Sequence, residues 1–221
     1  VKNLEDEYAG NVFSDIPNPM GKLHRNKDNK DKKSRLVGNL YAELHLFDGF
    51  MFKTSFGADY NNLYRRSFSP KYDEINASEK LSGLSNRNAW NFNWVFTNTL
   101  NYTKTFGDHT INALLGLESL RNRYEYFTAS RDGFPSDDPN FHFLDAGDVG
   151  TQKNSGSATE YSMVSYFGKI DYNYHDRYLV AFTLRRDGSS RLGNNKWGNF
   201  PAASVGWRIS NEPFFDVEAI N

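Results

Sequence analysis

The chain has 221 residues, no cysteine and a formal net charge of −1; only 38% of it is hydrophobic, yet aromatic rings make up 16%. Polar overall but rich in rings is the profile of a membrane β-barrel, whose wet and lipid-facing residues alternate and average out. No run approaches the ~18 consecutive apolar residues of a membrane-spanning helix, and without a basic excess nothing points to nucleic acid. The absence of cysteine excludes a disulfide framework and thiolate metal sites. The chain starts Val1-Lys2-Asn3, with neither the basic stretch nor the apolar run of an export signal, so any such signal is expected to lie outside it.

Residues 1–34 read as an extracellular loop, solvated around Lys27-Asp28-Asn29-Lys30-Asp31-Lys32-Lys33. About seven segments with two-residue periodicity then follow, which predicts β-strands and no helix of any length. The first, 35–47, sets Leu36, Leu40, Leu44 and Leu46 against Asn39, Tyr41, Glu43 and His45; Asp48-Gly49 then predicts a type I′ turn with two positive φ angles. The second, 51–60, puts Phe52, Phe56 and Tyr60 opposite Lys53, Ser55 and Asp59. The third, 90–105, has Trp90, Phe92, Trp94, Phe96, Leu100 and Tyr102 opposite Asn91, Asn93, Thr97, Thr99 and Asn101, and Gly107-Asp108 turns it into a fourth, 109–128, carrying Ile111, Ala113, Leu115 and Leu117. The fifth, 161–174, sets Val164, Tyr166, Ile170, Tyr172 and Tyr174 against Ser165, Lys169, Asp171 and Asn173, and His175-Asp176 makes a third short turn. The sixth, 178–187, offers Val180, Phe182 and Leu184 opposite Ala181, Thr183 and Arg185; the seventh, 200–210, offers Ala203, Val205, Trp207 and Ile209 opposite Ser204, Gly206 and Arg208.

Short turns alternate with long polar stretches at 61–88, 129–160 and 188–199, so all short turns lie at one end of the sheet. That is the layout of an outer-membrane barrel, with brief periplasmic turns and long extracellular loops; 212–221 would then be periplasmic turn. A soluble secreted β-sandwich that binds carbohydrate or mediates adhesion would also alternate, and remains the alternative. Segment length favours the barrel, since soluble strands cluster near ~5–6 residues and these run to about ten and beyond. Seven strands cannot close a bacterial barrel of even number, so the chain is expected to be an excerpt.

The run from Arg185-Arg186-Asp187-Gly188-Ser189-Ser190-Arg191 through Trp197-Gly198-Asn199-Phe200-Pro201 to Trp207-Arg208-Ile209-Ser210-Asn211-Glu212-Pro213-Phe214 resembles the SusC/RagA-like TonB-linked outer-membrane proteins of Bacteroidetes-type bacteria. Weaker matches lie at Arg35-Leu36-Val37-Gly38-Asn39-Leu40-Tyr41-Ala42-Glu43 and at Thr97-Asn98-Thr99-Leu100-Asn101-Tyr102. The resemblance implies an all-β, antiparallel transmembrane barrel of roughly 22 strands, of which this chain would supply about seven. It implies import of oligosaccharides or peptides energised through TonB, partners in outer-membrane lipid and a SusD-like surface lipoprotein, and no enzyme activity or cofactor. The family's plug, TonB box and N-terminal extension have no counterpart in this stretch.

No nucleophile elbow, phosphate-cradling loop or zinc helix occurs, so no catalytic or metal site is expected. His24, His45, His109, His142 and His175 are far apart in sequence and read as surface or turn residues. Asp137, Asp138, Asp145 and Asp148 lack the spacing of a calcium loop and read as solvated acids. Asn76-Ala77-Ser78 and Asn101-Tyr102-Thr103 match a glycosylation sequon that carries no meaning in a bacterial barrel. Arg185, Arg186, Asp187 and Arg191 could bind ligand carboxylates or sugars, but an inter-strand ion-pair network near the outer rim explains them better. Tyr64, Phe68, Tyr72, Phe134, Phe141 and Phe143 could stack on sugar rings or pack loop against loop, so the substrate-binding residues are left unassigned.

Overall fold

A computed structural model describes residues 19–74 and 77–215. In chain order these form a short helix α1 (Pro19–Arg25), β1 (Lys30–Phe47), β2 (Phe50–Ser69), a small hairpin β3 (Tyr72–Glu74) and β4 (Ala77–Glu79), β5 (Gly83–Phe106), β6 (His109–Asp132), β7 (Lys153–Tyr174), β8 (Tyr178–Ser189) and β9 (Trp197–Trp207). Single-turn 3-10 helices sit at Pro139–Phe141, Leu144–Ala146, Val149–Thr151 and Ile209–Asn211. The seven long strands make one antiparallel sheet in the order β1-β2-β5-β6-β7-β8-β9, each beside its sequence neighbour. No described helix is long and apolar enough to cross a membrane, a statement that does not bear on strands.

The turn-side ends of the strands fall where the periodicity puts them, except that β9 stops at Trp207 and Ile209–Asn211, expected as the end of the seventh strand, is a 3-10 turn; the outer ends run further. β2 continues to Ser69, β5 starts at Gly83, β6 continues to Asp132 and β7 starts at Lys153, so the stretch read as a loop at 61–88 is largely strand and the one at 129–160 is strand at both ends. The first eight residues of β7 are exposed and polar or small on both sides, which erases the alternation that signals a strand. The expected loop at 1–34 likewise contains α1 and the start of β1, which also corrects the expectation of no helix; residues 1–18 and 216–221 lie outside the described residues.

The three short turns differ from one another. Only Gly49 has positive φ (80°) in the first, so Asp48-Gly49 is not the predicted type I′ turn. Gly107 (φ 58°) takes the first central position of the second, as a type II′ turn requires. The type I′ pattern falls instead on His175 (φ 53°) and Asp176 (φ 58°), closed by Arg177 N donating to Tyr174 O at 2.9 Å. Neither residue is glycine, so the left-handed backbone there is held by its surroundings. Asn173 Nδ2 and Arg208 donate to the Asp176 carboxylate at 2.8 and 3.0 Å, Asn211 Nδ2 donates to its carbonyl at 3.0 Å, and His175 pairs with Asp108 at 3.0 Å.

The chain divides into two compact units. One comprises Val1–Arg35, Tyr60–Asn91 and Tyr124–Thr159; the other comprises Leu36–Asp59, Phe92–Arg123 and Glu160–Asn221.

Candidate functional site

In the second unit the two faces of the sheet are chemically distinct, and the strand register fixes which residue lies on which. Opposed residues share a face, so Tyr174/Tyr178/Trp207, Tyr172/Val180/Val205, Ile170/Phe182/Ala203 and Gly168/Leu184/Pro201 form four successive rungs of one apolar face across β7, β8 and β9. None of the described residues covers it: Ile170, Phe182 and Val205 are 54%, 49% and 85% exposed. A contiguous uncovered apolar face of this size marks a surface meant for something other than water.

Rings close both ends of that face. At the turn end Phe106, His109, Tyr172, Tyr174 and Tyr178 succeed one another at centroid spacings of 4.8–6.3 Å, with Trp207 against Phe214 at 6.4 Å. At the other end Trp197 lies flat over Gly188, where any added Cβ would meet the indole at 2.8 Å, and stacks on Tyr166 at 5.9 Å. Trp197 and Trp207 are the two ends of β9. Their ten-residue separation spans about 33 Å along the strand at ~3.3 Å per residue, or about 25 Å of height at a tilt near 40°. That equals the apolar band between the aromatic girdles of a membrane barrel.

The opposite face is wet. Arg185 donates to Asp187 at 2.7 Å, to Ser165 at 2.8 Å and to Glu118 at 3.2 Å, and its guanidinium lies 5.4 Å from the centre of the Phe167 ring. Phe167 in turn occupies the space over Gly116, where a Cβ would meet it at 2.1 Å. Lys53 pairs with Glu43 at 2.8 Å and Lys169 with Asp171 at 2.9 Å on partly exposed side chains, interactions that water and salt weaken. The Arg185 group joins β6, β7 and β8, as an inter-strand network would. Arg186 and Arg191 do not join it: Arg186 lies over Trp197 at 5.0 Å and Arg191 over Tyr161 at 3.8 Å. Glu118, the anchor of Arg185, went unrecognised in the sequence, although it sits opposite Leu115 and Leu117 in the alternation of β6.

The first unit contains a small core where loop residues meet the outer ends of β2 and β5. Phe68 of β2 stacks on His142 at 3.6 Å and meets Phe134 edge-on at 5.5 Å, above Leu84, which is 1% exposed. Ser82 Oγ accepts from Phe134 N and donates to Phe134 O, while Arg66 donates to the His142 carbonyl. Burial pushes the His142 imidazole below its ordinary pKa, and the Arg66 charge adds to that. His142 is thus a packed core residue rather than the surface histidine its sequence suggested. Phe68 and Phe134 are packing residues; Tyr72 lies under Arg25 at 3.9 Å, and Phe141 and Phe143 are exposed. A cleft of about 340 Å³ is lined by Arg35, Asn61, Leu63, Ala89, Trp90, Asn91 and Tyr124 among others, and beside Tyr124 Arg87 donates to its hydroxyl at 3.1 Å.

The other singled-out residues have separate roles. Asp138 and Asp148 cap 3-10 turns through Asn140 N and Gly150 N at 2.9 and 2.8 Å, Asp145 pairs with Arg131 at 3.2 Å, and the Asp137 carbonyl lies 3.1 Å from His142 Nε2. Among the described residues no three His, Asp or Glu converge as metal ligands. His109 bonds Tyr172 Oη at 2.7 Å, His24 lies in α1 and His45 is exposed on β1. Asn76 lies outside the described residues.

No family model matches the chain. It is 32% identical over 213 residues to the TonB-dependent receptor P39 of Formosa agariphila, covering 96% of this chain and 20% of that protein. It is 27% identical over 223 residues to the TonB-dependent receptor SusC of Bacteroides thetaiotaomicron, covering 99% of this chain and 21% of that one. The fold matches a solved structure of the RagAB peptide transporter with a TM-score of 0.84 at 23% identity, over 91% of this chain and 22% of that one. The chain thus spans about one fifth of the length of these relatives. Over that fifth, its fold is that of a length of antiparallel β-barrel wall, and its sequence is similar to that of TonB-dependent receptors, SusC among them.

Proposed function

We propose that this segment is part of the wall of an outer-membrane transporter that imports oligosaccharides or peptides, with its energy supplied through TonB by parts of the protein beyond this stretch. The observation that carries the reading is the uncovered apolar face bounded by two belts of rings about 25 Å apart in height, backed by a wet face on the alternate residues. The same geometry supports an outer-membrane location. Its similarity to TonB-dependent receptors supports transport over catalysis, and its structural likeness to the RagAB peptide transporter supports a peptide or similarly sized polar cargo.

The wall acts as scaffold. Residues 1–34, 61–88, 129–160 and 188–199 belong to its extracellular side and 212–221 to its periplasmic side. The exposure of Phe141 and Phe143 supports a role for this loop in contacting substrate or a SusD-like lipoprotein lid. The test uses the full-length receptor reconstituted in liposomes and expressed in cells with and without TonB. Heat-modifiable migration and TonB-dependent uptake of labelled oligosaccharide or peptide are expected. A protein that stays monomeric and folded in buffer without detergent would contradict the reading.

A further inference from the structure

The outer end of β7 has a backbone edge that no described strand covers. β8 ends at Ser189, opposite Met163, and the last bonds on that side run from Ser162 N to Ser190 Oγ at 2.9 Å and from Ser190 N to Ser162 O at 3.0 Å. β7 itself begins much earlier, at Lys153. An extended strand turns the N–H and C=O of successive residues to alternate sides. Ser162 turns both of its groups toward β8, so Asn154, Gly156 and Ala158 turn theirs the same way, while Ser155, Ser157 and Thr159 turn theirs to β6. The other neighbour agrees. The Tyr126 carbonyl of β6 lies against β7 beside Gly156, where a Cβ would meet it at 2.9 Å. Asn154, Gly156 and Ala158 thus line an outward edge with a donor and an acceptor each. Residues 153–160 are all exposed, and among the described residues nothing pairs with that edge.

Proteins ordinarily blunt a free strand edge with proline, charge, a bulge or a covering loop. Asn154-Ser155-Gly156-Ser157-Ala158-Thr159 contains no proline and no charge, and Lys153 at its end is tied to Asp132 of β6 at 3.1 Å. An edge left open in this way is a template for another strand, because its outward groups repeat every ~6.7 Å, the span of two residues in any extended polypeptide. A sugar chain has hydroxyls to bond these groups singly, but not donor and acceptor in that fixed alternation. The side chains on both faces are short, so they form no pocket that would select a sequence and present no bulk that would exclude one.

We propose that the outward edge of β7 at residues 154–158 binds cargo peptide through its main chain, as an added strand. This rests on the import reading above and gives its peptide cargo a binding site that reads backbone rather than sequence.

The test is residue-resolved hydrogen exchange on the full-length receptor in detergent, with a short, terminally blocked peptide of Ser, Thr and Ala as probe. Without the probe, the amides of Asn154, Gly156 and Ala158 should exchange about tenfold faster than those of Ser155, Ser157 and Thr159, which the β6 ladder holds. With it, the fast set should slow toward the other. Scrambling the probe should leave its Kd within about threefold, and N-methylating every residue of it should weaken binding about tenfold or more. Ala158→Pro removes one outward N–H and no bond to β6, so it should weaken the probe about threefold to tenfold while the amides of Ser155, Ser157 and Thr159 stay slow. Three results overturn the site: outward amides already slow without the probe, outward amides unchanged by it, and a methylated probe that binds as well as the plain one. TonB-dependent uptake by the same receptor separates the two claims. A receptor that imports labelled oligosaccharide or peptide but gives any of those three results loses the edge site alone; one that imports neither loses the import reading and the site together.

Discussion

Phe182→Arg and Ala181→Arg change adjacent residues of β8 and should behave oppositely. Phe182 lies midway between Tyr178 and Arg186 on the apolar face, four residues or about 13 Å along the strand from each. Arginine near the middle of a bilayer costs ~2–4 kcal/mol in a barrel wall. Losing the ring from lipid adds about 1–2 kcal/mol. The total of about 3–6 kcal/mol is a large part of the 5–15 kcal/mol that holds a typical domain. Ala181 faces the other way, directly opposite Asp171, so its new guanidinium meets a carboxylate on the wet side and should cost less than about 1 kcal/mol. The assay is urea titration of the full-length receptor in lipid vesicles, with the heat-modifiable band reporting the folded fraction. On a water-facing surface, a half-exposed phenylalanine could be replaced at a cost within about 0.5 kcal/mol. Equal urea midpoints for the two variants would therefore refute the lipid assignment of this face.

Three further outcomes are expected. Gly49→Ala should destabilise the folded state by about 1–3 kcal/mol and so lower folding yield, because φ is +80° and the new Cβ would meet Thr103 O at 2.5 Å; Gly193→Ala, where nothing lies within 4 Å, is the control, and equal yields would contradict this. Hydrogen bonds from Trp207 Nε1 and Tyr178 Oη, at 2.9 and 2.7 Å, hold the Glu212 carboxyl below its ordinary range. Its contribution is then complete above the ordinary carboxylate pKa and lost as pH falls through the lowered value, so Glu212→Gln should abolish an acid-induced change in tryptophan fluorescence. For His142 the neutral ring is the favoured form, so its contribution is complete above the ordinary histidine pKa of about 6.5 and lost as pH falls toward the lowered value. Limited proteolysis of residues 133–152 should accelerate on going from pH 7.5 to 5, and His142→Phe, which keeps a ring against Phe68, should remove that dependence.

The parts of this fold legible in the sequence are those where one face meets lipid. Val180, Phe182 and Leu184 alternate with Ala181, Thr183 and Arg185 because the two sides of β8 meet different solvents, and the strand boundaries at the turn end follow. Beyond that face both sides meet water, so stretches such as Lys153–Thr159 lose their period while keeping their hydrogen bonds to β6. Turn geometry is less legible for a related reason. Asp48-Gly49 has the composition of a type I′ turn, but the turn with two positive φ angles is His175-Asp176, imposed by Asn173, Arg208 and Asn211 from outside the local sequence. His142 is buried by Phe68, which precedes it by 74 positions, and no local signal reports that stacking.

The most direct test of the membrane-wall account is a cysteine scan along β8, in a chain stretch that contains no cysteine of its own. Single cysteines at 179 to 185, in the full-length receptor in intact outer membranes, would be challenged with a water-soluble maleimide and with a lipid-phase quencher of an attached probe. The account predicts a period of two: positions 181, 183 and 185 labelled from water, and 180, 182 and 184 unreactive to the maleimide but quenched from the lipid phase. Uniform labelling from water at all positions would contradict it.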